Sequence, residues 1–165
     1  GVGRLAVQLA DRGGAHVTGV VGRPERGAGL EDLGADEIVV GLDSEGEAFH
    51  HILESVGGGS LAAAVARLAP YGMIVSYGNS SGEPASLSAR DIYRGAFGAQ
   101  ICGFYLFADV AKDPAGGDLG LLASLMADGA LDPQVDVEAS WREPGEALSA
   151  LMDRRVAGKA VLHID

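Results

Sequence analysis

The feature that most constrains the fold is a repeated alternation between short apolar runs and longer segments with helical spacing. The apolar runs are typical of strands that are buried on both faces: HVTGVVG, EIVVG, FHHILESVG, GMIVSYG, AQICGFYLF and GKAVLHID. The helical segments between them are GVGRLAVQLADRGGA, RPERGAGLEDLGA, GSLAAAVARLA, ASLSARDIYRGA, GGDLGLLASLMADGAL and PGEALSALMDRR. This alternation predicts a three-layer α/β fold, in which helices cover both sides of a mostly parallel, doubly wound sheet.

The charge balance and the apolar pattern exclude several classes of protein. The chain carries 23 acidic and 12 basic residues, a net charge of −11. No Lys/Arg cluster is long enough to follow a nucleic-acid backbone, so we expect no nucleic-acid partner. No apolar run approaches the roughly 18 residues of a membrane span, and no signal-peptide pattern opens the chain. We therefore expect no membrane partner and a cytoplasmic location.

The cysteine and the histidines do not form a recognisable metal site. Cys102 is the single cysteine, which excludes an internal disulfide and a multi-cysteine zinc site. We predict that it is a small buried apolar residue. His50 and His51 are adjacent on a predicted strand and would point to opposite faces, while the other two histidines are isolated. We expect no zinc in this chain.

The chain opens at the start of a predicted helix. Gly1, Val2 and Gly3 lead directly into its apolar stripe. Glycines at such a position let backbone N–H groups approach a phosphate, which the positive end of the helix dipole also favours. A simple helix start would show the same residues. In a Rossmann fold this turn follows the first, central strand, so we expect a sheet that lacks its first strand and a domain truncated at its N-terminal edge.

Basic residues follow the first predicted strand. Gly22 ends this strand, and Arg23 and Arg26 come next, where NAD-preferring domains carry a carboxylate for a ribose hydroxyl. Guanidinium groups can hold the additional phosphate of NADP in a fork, whereas a carboxylate would repel it. Glu25 lies between the two arginines, and its carboxylate weakens the prediction that they hold this phosphate. The pattern favours NADP(H) as cofactor, with NAD(H) as the less favoured alternative.

Two loops of small residues end neighbouring predicted strands. Residues 54–58, ESVGG, end one strand, and residues 78–82, GNSSG, end the next. Ligands of open α/β sheets bind at the carboxyl ends of the strands. Small residues let a flat ring approach the backbone, and Ser or Asn can hydrogen-bond ribose or a carboxamide. Each loop alone would pass for an ordinary turn, but together with the helix start they indicate a cofactor cleft.

Taken together, these motifs resemble the medium-chain dehydrogenase/reductase superfamily. The resemblance rests on GVGRLAVQLA, LGAD, ESVGG, VSYGNSSG and GKAVLHI, and it covers essentially all 165 residues. Within the superfamily the chain resembles the zinc-binding dehydrogenase family, above all its zinc-independent quinone oxidoreductase branch of zeta-crystallin-like enzymes. The resemblance implies that residues 1–165 are a C-terminal NAD(P)-binding Rossmann domain. The GroES-like catalytic domain of the family is absent from these residues.

The resemblance also implies a set of cofactor-binding residues, and it assigns no catalytic residue to the chain. These residues are Gly1, Val2 and Gly3 at the end of the phosphate loop; Gly22, Arg23 and Arg26 around the adenosine ribose phosphate; Ser55 and Val56 along the path from the adenine ribose to the pyrophosphate; Gly78, Asn79 and Ser80 at the nicotinamide-ribose end; Phe104 and Leu106, on the GFYLF strand, near the nicotinamide; and Lys159 near a cofactor phosphate. The strand around Gly103–Phe107 would pair with its copy in a second subunit, which gives a homodimer.

The implied activity is the transfer of hydride from NADPH to a quinone, an enone or a similar carbonyl compound. The small-molecule substrate would bind through the absent domain, and we expect the chain alone to be inactive. Three alternatives stay open: a zinc-dependent alcohol dehydrogenase-type member of the same superfamily, a non-catalytic nucleotide-sensing Rossmann module, and an S-adenosylmethionine-dependent transferase. The last is disfavoured because the strand that ends in GVVG lacks the acidic residue that such sites present to ribose hydroxyls.

Overall fold

The computed structural model describes residues 1–164 and contains six α-helices and seven strands there. In chain order the elements are α1 (Val2–Arg12), β1 (Thr18–Val21), a 3₁₀ helix (Pro24–Gly27), β2 (Glu37–Val40), β3 (Phe49–Glu54), α2 (Gly58–Ala66), β4 (Leu68–Ser76), α3 (Ala89–Arg94), β5 (Gln100–Gly103), α4 (Leu106–Lys112), α5 (Gly116–Ala127), β6 (Val135–Ser140), α6 (Gly145–Met152) and β7 (Lys159–His163). They divide into two compact units: unit 1 is residues 1–40 with the chain from Gly116 onward, and unit 2 is residues 41–115.

Every strand pair in the described residues is parallel, which confirms the predicted α/β class. The strands form three separate sheets, with the orders β1-β2, β3-β4-β5 and β6-β7. Parallel strands need a crossover connection, usually a helix, and the helical segments between the strands supply it. The alternation seen in the sequence thus determines both the class of the fold and the direction of its strands.

Unit 1 holds two of these sheets and a small apolar core. Val7 is the buried residue of α1, and it packs with Leu30 and Ala35 from the segment between β1 and β2. The residues at helical spacing in α1 therefore turn one face inward, as the sequence predicts. β6 and β7 run side by side, and α6 buries Ala147 and Ala150.

Unit 2 is built around its three-stranded sheet. Ile74 in β4 is completely buried and packs with Ala64 and Val65 of α2. Small side chains on α2 leave room for the helix to lie close to the sheet. The three strands end level with one another, since Glu54 is opposite Ser76 in the ladder and Ser76 is opposite Gly103. The loops after β3 and β4 therefore leave the sheet at the same edge.

The helix predicted for RPERGAGLEDLGA is wrong beyond its first turn. Only Pro24–Gly27 is helical, as a 3₁₀ turn, and turns follow it. Gly29 and Gly34 adopt positive φ angles of 73° and 100°, which an α-helix does not permit. The glycines thus override the helical spacing of the apolar residues in this segment.

The strand predicted for AQICGFYLF is also too long. β5 ends at Gly103, because β4, its ladder partner, ends opposite it at Ser76. After Phe104 and Tyr105 the chain enters α4 at Leu106. The prediction that Phe104 and Leu106 lie on the GFYLF strand is therefore wrong.

Two smaller differences concern β5 and β6. Cys102 is exposed, so the prediction that it is buried is wrong; all four residues of β5 are exposed. The segment VDVEAS forms β6, which the sequence did not predict as a strand. The helices of residues 1–164 are too short to cross a membrane.

Candidate functional site

α1 begins at a glycine, and its first turn is open to an anion. Gly1 takes the N-cap position without a side-chain hydrogen bond, and the first turn contains no acidic residue. The unpaired N–H groups and the positive end of the helix dipole both suit an anion. Lys159 lies beside this turn, since a Cβ built on Gly1 would be 3.3 Å from its Nζ atom.

Three basic side chains lie near the start of α1: Lys159, Arg4 and Arg26. Each of these residues lies in unit 1. No carboxylate of residues 1–164 pairs with the charges of these three side chains.

The junction of β6 and β7 sets the position of Lys159. Its backbone N–H donates to the carbonyl oxygen of Gln134 at 2.7 Å. The preceding residue has to be glycine, because a Cβ on Gly158 would overlap that same carbonyl oxygen. Arg4 of α1 donates from Nε to Oε1 of Gln134 at 2.6 Å. Gln134 thus ties the start of α1 and the start of β7 together.

Gly3 and Gly22 leave space next to the backbone. A Cβ on either residue would meet no heavy atom of the chain within 4 Å, and neither residue has a left-handed backbone. The fold itself therefore does not require glycine at these two positions. Gly3 lies in the first turn of α1 and Gly22 directly follows β1, so both keep room for a ligand at places where the sequence predicts one.

The two arginines after β1 differ in their contacts. Arg26 donates from Nη1 to the carbonyl oxygen of Val156 at 3.2 Å and from Nη2 to that of Arg154. Arg23 has a 57% exposed side chain, with Nη2 3.5 Å from the carbonyl oxygen of Arg154 and Nε 3.9 Å from Oε2 of Glu25. Arg26 therefore holds the segment before β7, and the charge of Arg23 is the more accessible of the two.

In unit 2, the loops after β3 and β4 form one connected structure. Backbone hydrogen bonds continue from loop to loop after the strands end. We call residues 54–58 and 77–81 the strand-end cluster. The donors and acceptors of its three bonds are Tyr77 N to Glu54 O (2.9 Å), Ser80 N to Ser55 O (3.1 Å) and Ser81 N to Val56 O (2.8 Å).

Two glycines let the loops of the strand-end cluster touch. Gly57 has a φ of 77°, and a Cβ on it would overlap Oδ1 of Asn79. A Cβ on Gly78 would lie 2.9 Å from the carbonyl oxygen of Ser55. The structure thus brings together the five residues that the sequence predicts on these loops: Ser55, Val56, Gly78, Asn79 and Ser80.

Phe104 and Leu106 lie beyond the strand on which they were expected. The N–H of Phe104 donates to the carbonyl oxygen of Ser76 at 2.8 Å, so Phe104 stays next to the end of β4. Leu106 is the first residue of α4. Both side chains are about half exposed, and both lie in unit 2.

Sequence reasoning missed three residues that shape these sites. Glu54 is the buried charged residue of the described chain, and its carboxylate accepts hydrogen bonds from the loop that follows it. Gln134 and Gly158 fix Lys159. A carboxylate at the end of a strand, three residues before Gly57, is a visible signal for Glu54, whereas nothing in the sequence relates Gln134 to α1.

Residues 1–164 do not provide a set of ligands that fits a zinc ion. Residues 1–164 contain no group of three or more His, Cys, Asp or Glu side chains that could hold a metal. His163 approaches Glu138 at 2.5 Å and His16 approaches Asp36 at 3.2 Å, but each is a single exposed pair. Structural zinc sites need four protein ligands and catalytic sites three.

The chain matches one family and several solved structures. The family described as zinc-binding dehydrogenase matches residues 1–115. A quinone oxidoreductase of Pseudomonas syringae pv. tomato is 24% identical with a TM-score of 0.77, over 99% of this chain and 53% of its own. A mycobacterial protein complexed with NADPH is 20% identical with a TM-score of 0.82, over 99% and 55%. A Bacillus subtilis protein with NAD bound is 21% identical with a TM-score of 0.73, over 99% and 51%.

These likenesses establish the fold, and the chain spans about half the length of the structures that it matches. No curated protein matches it significantly. The family match covers well over half of the residues, including α1 and the strand-end cluster. The chain therefore belongs to the zinc-binding dehydrogenase family of the medium-chain dehydrogenase/reductase superfamily.

Proposed function

We propose that the chain is the NADP(H)-binding part of an oxidoreductase that transfers hydride to a quinone, an enone or a similar carbonyl compound. The observation that carries the proposal is the start of α1. It combines a first turn without acidic residues, an uncovered Gly3 and the charges of Lys159, Arg4 and Arg26 around Gly1. This combination suits the pyrophosphate of a dinucleotide.

The preference for NADP(H) rests on the residues after β1. Gly22 leaves open space there, and no carboxylate occupies the strand end itself. The accessible guanidinium of Arg23 can hold the ribose 2′-phosphate, and Arg26 supports the site through its contacts with residues 154–156. Both NADPH and NAD occur in solved structures of similar fold, so the choice between them depends on these arginines.

The family resemblance implies that the strand-end cluster contacts uncharged parts of a nicotinamide dinucleotide. The strand-end cluster presents Ser55, Val56, Asn79 and Ser80. Their backbone groups take part in hydrogen bonds within and between the two loops, and side chains and small-residue surface remain for ribose and rings. The family resemblance implies that Phe104 and Leu106 lie near the nicotinamide. Phe104 is next to the end of β4, and Leu106 is at the start of α4.

The hydride transfer would depend on the cofactor for its chemistry and on this chain for binding. Bound NADPH would supply the hydride, and the residues of this chain would bind and orient it and exclude water. No side chain of residues 1–164 is assigned as an acid or a base. The choice of substrate belongs to the GroES-like domain that the family resemblance implies.

The decisive experiment compares cofactor binding with turnover. NADPH and NADH are titrated against the full-length natural protein by cofactor fluorescence, and cofactor oxidation is then followed with 1,4-benzoquinone, an enone or an alkyl aldehyde. We expect tighter binding of NADPH than of NADH and oxidation of NADPH by the quinone or the enone. Binding without turnover would support the nucleotide-sensing alternative, and no binding of either nucleotide would refute the proposal.

We also propose a homodimer through the end of β5. β5 pairs with β4 on one side, all its residues are exposed, and Ile101 is 49% exposed. The exposed aromatic side chains of Tyr105 and Phe107 follow, with ring centroids 5.7 Å apart. An uncovered strand edge next to apolar side chains favours pairing with another strand. Light scattering should show a dimer for the natural protein and a monomer for Ile101→Lys; a monomeric natural protein would contradict the proposal.

A further inference from the structure

Glu54 is in an unusual position for a carboxylate. Its side chain is only 4% exposed, and burial of a charge is costly unless hydrogen bonds compensate it. The compensation comes from the backbone that follows: Oε1 accepts from the N–H of Val56 at 2.8 Å, and both carboxylate oxygens accept from the N–H of Gly57 at 3.1 Å. The residues that follow Glu54 therefore turn around its carboxylate.

The segment that Glu54 holds is half of the strand-end cluster. The carbonyl oxygens of Ser55 and Val56 accept hydrogen bonds from the opposite loop, while the N–H groups of Val56 and Gly57 are bound by Glu54. Backbone groups on both sides of this segment are therefore occupied within the chain. Its remaining freedom is small, and its shape depends on the carboxylate.

Glu54 also changes the electrostatics at the start of α2. Gly57 is the N-cap of this helix, and it has no side-chain cap of its own. The carboxylate bound to its N–H puts a negative charge at the positive end of the helix dipole. A second anion, such as a cofactor phosphate, would be repelled from this helix start, whereas a neutral ribose or ring would not.

We propose that Glu54 is a positioning residue for the cofactor. It fixes Ser55, Val56 and Gly57 in the shape that receives an uncharged part of the dinucleotide. Its negative charge also repels phosphate from the start of α2. This inference rests on the proposed function, because it assumes that the strand-end cluster contacts a nicotinamide dinucleotide. Glu54 itself acts through the loop and needs no contact with the reacting atoms.

The test compares three variants of the full-length natural protein. Glu54→Gln keeps the size of the side chain and one acceptor oxygen, but it removes the negative charge and places an NH₂ group where the second oxygen accepts from the N–H of Gly57. We expect the Kd and the KM for NADPH to rise about tenfold, as the loss of hydrogen bonds to a charged group suggests. Glu54→Asp keeps a carboxylate that can bind the N–H groups two and three residues ahead, as in an Asx turn. It should recover a Kd within about threefold of the natural value.

Ile74→Val is the matched control for a purely structural effect. Ile74 lies in the same unit, is completely buried and touches neither loop of the strand-end cluster in its core contacts. It should lower the melting temperature and leave the Kd for NADPH unchanged. If Glu54→Gln behaves like Ile74→Val, with a lower melting temperature and an unchanged Kd, the positioning role is refuted.

Nucleotide binding by the natural protein distinguishes a failure of this inference from a failure of the proposed function. If the protein binds neither NADPH nor NADH, the proposed function fails and takes the inference with it. If it binds NADPH and Glu54→Gln binds equally tightly, the inference alone fails. A raised Kd in Glu54→Gln that Glu54→Asp restores supports both.

Discussion

α1 and α2 start alike in sequence and differ in what surrounds them. Each has a glycine at the N-cap, no side-chain cap and no acidic residue in its first turn. Lys159, with two arginines, makes the start of α1 positive, whereas the buried carboxylate of Glu54 binds the N–H of Gly57 at the start of α2. The basic neighbours of the first helix start suit an external anion, and the second helix start already holds an internal carboxylate.

The glycines at the two helix starts show the same contrast. A side chain on Gly3 would meet nothing within 4 Å, whereas one on Gly57 would overlap Asn79. Gly57 is therefore required by the chain's own packing, and Gly3 is not. The comparison teaches that a glycine-rich helix start can serve either a ligand or the fold, and that only its neighbours distinguish the two.

The largest effect is expected for Gly57→Ala. The new Cβ would require a left-handed backbone at 77° and would overlap Oδ1 of Asn79. We expect the free energy of unfolding to fall by roughly 2–4 kcal/mol, measured by urea denaturation. Gly59→Ala is the control, because a Cβ there is free of contacts and should stabilise α2 by up to about 1 kcal/mol. A Gly57→Ala variant as stable as the natural protein would show that the start of α2 is not closed.

Lys159→Ala should have the largest effect on cofactor binding. The positive charge next to Gly1 falls when this side chain is lost, and the loss of one charge-assisted contact to a phosphate costs about 1.5–3 kcal/mol. The Kd for NADPH, measured by fluorescence titration, should rise at least tenfold, with 1.4 kcal/mol per factor of ten. Lys112→Ala, on the exposed α4, should bind as the natural protein does. If the two variants bind NADPH with equal affinity, no cofactor phosphate binds at the start of α1.

Arg23→Ala and Arg26→Ala should show which arginine recognises the phosphate of NADPH and which one stabilises the fold next to it. Arg23 is the accessible guanidinium, so its loss should weaken NADPH binding by about 1 kcal/mol more than NADH binding. Arg26 binds the carbonyl oxygens of Arg154 and Val156, so its loss should also lower the melting temperature by leaving these groups unpaired. The measurement is the ratio of the two Kd values in each variant. An unchanged ratio in Arg23→Ala would contradict the role of this residue in NADP preference.

The smallest effects are expected for Gly3→Ala, and they have opposite signs. The free energy of unfolding should rise by a few tenths to about 1 kcal/mol, because alanine favours a helix over glycine. The affinity for NADPH should fall by a similar amount, because the methyl group takes the space that Gly3 leaves open. Denaturation and titration of the same preparation test both signs. A variant that gains stability and keeps its affinity would show that no ligand approaches this turn.

Much of the fold could be predicted, and the errors have identifiable causes. α1, α2 and the strands β1 to β4 follow from apolar spacing and from the glycines that separate them. The helix expected after Pro24 fails because Gly29 and Gly34 take positive φ angles. The strand expected through Phe107 fails because β4 no longer offers a partner after Ser76. Spacing reports which face is apolar, but strand length depends on the neighbouring strand.

The candidate site was predictable to a different degree in each unit. In unit 1 the sequence indicated Gly1–Gly3 and Lys159 but not Gln134, which joins α1 to β7. In unit 2 it indicated both loops of the strand-end cluster but not the role of Glu54. The contact of Glu54 lies within three residues and leaves a local signal in the sequence, whereas the contact of Gln134 with Arg4 joins distant residues, which no residue-type pattern records.

The sequence by itself determined the α/β class, the parallel pairing of the strands, and the elements α1, α2 and β1 to β4 with the glycine turns that separate them. These features depend on spacing within a few residues and on the limited φ and ψ angles of each residue type. Only the tertiary structure decided that Lys159 lies next to Gly1 and that the loops after β3 and β4 lock together around Glu54. It also decided which glycine start is open and which is closed. The physical reason is that Lys159 next to Gly1 and Asn79 next to Gly57 are distant in the chain, and that the burial of Glu54 depends on the residues packed around it.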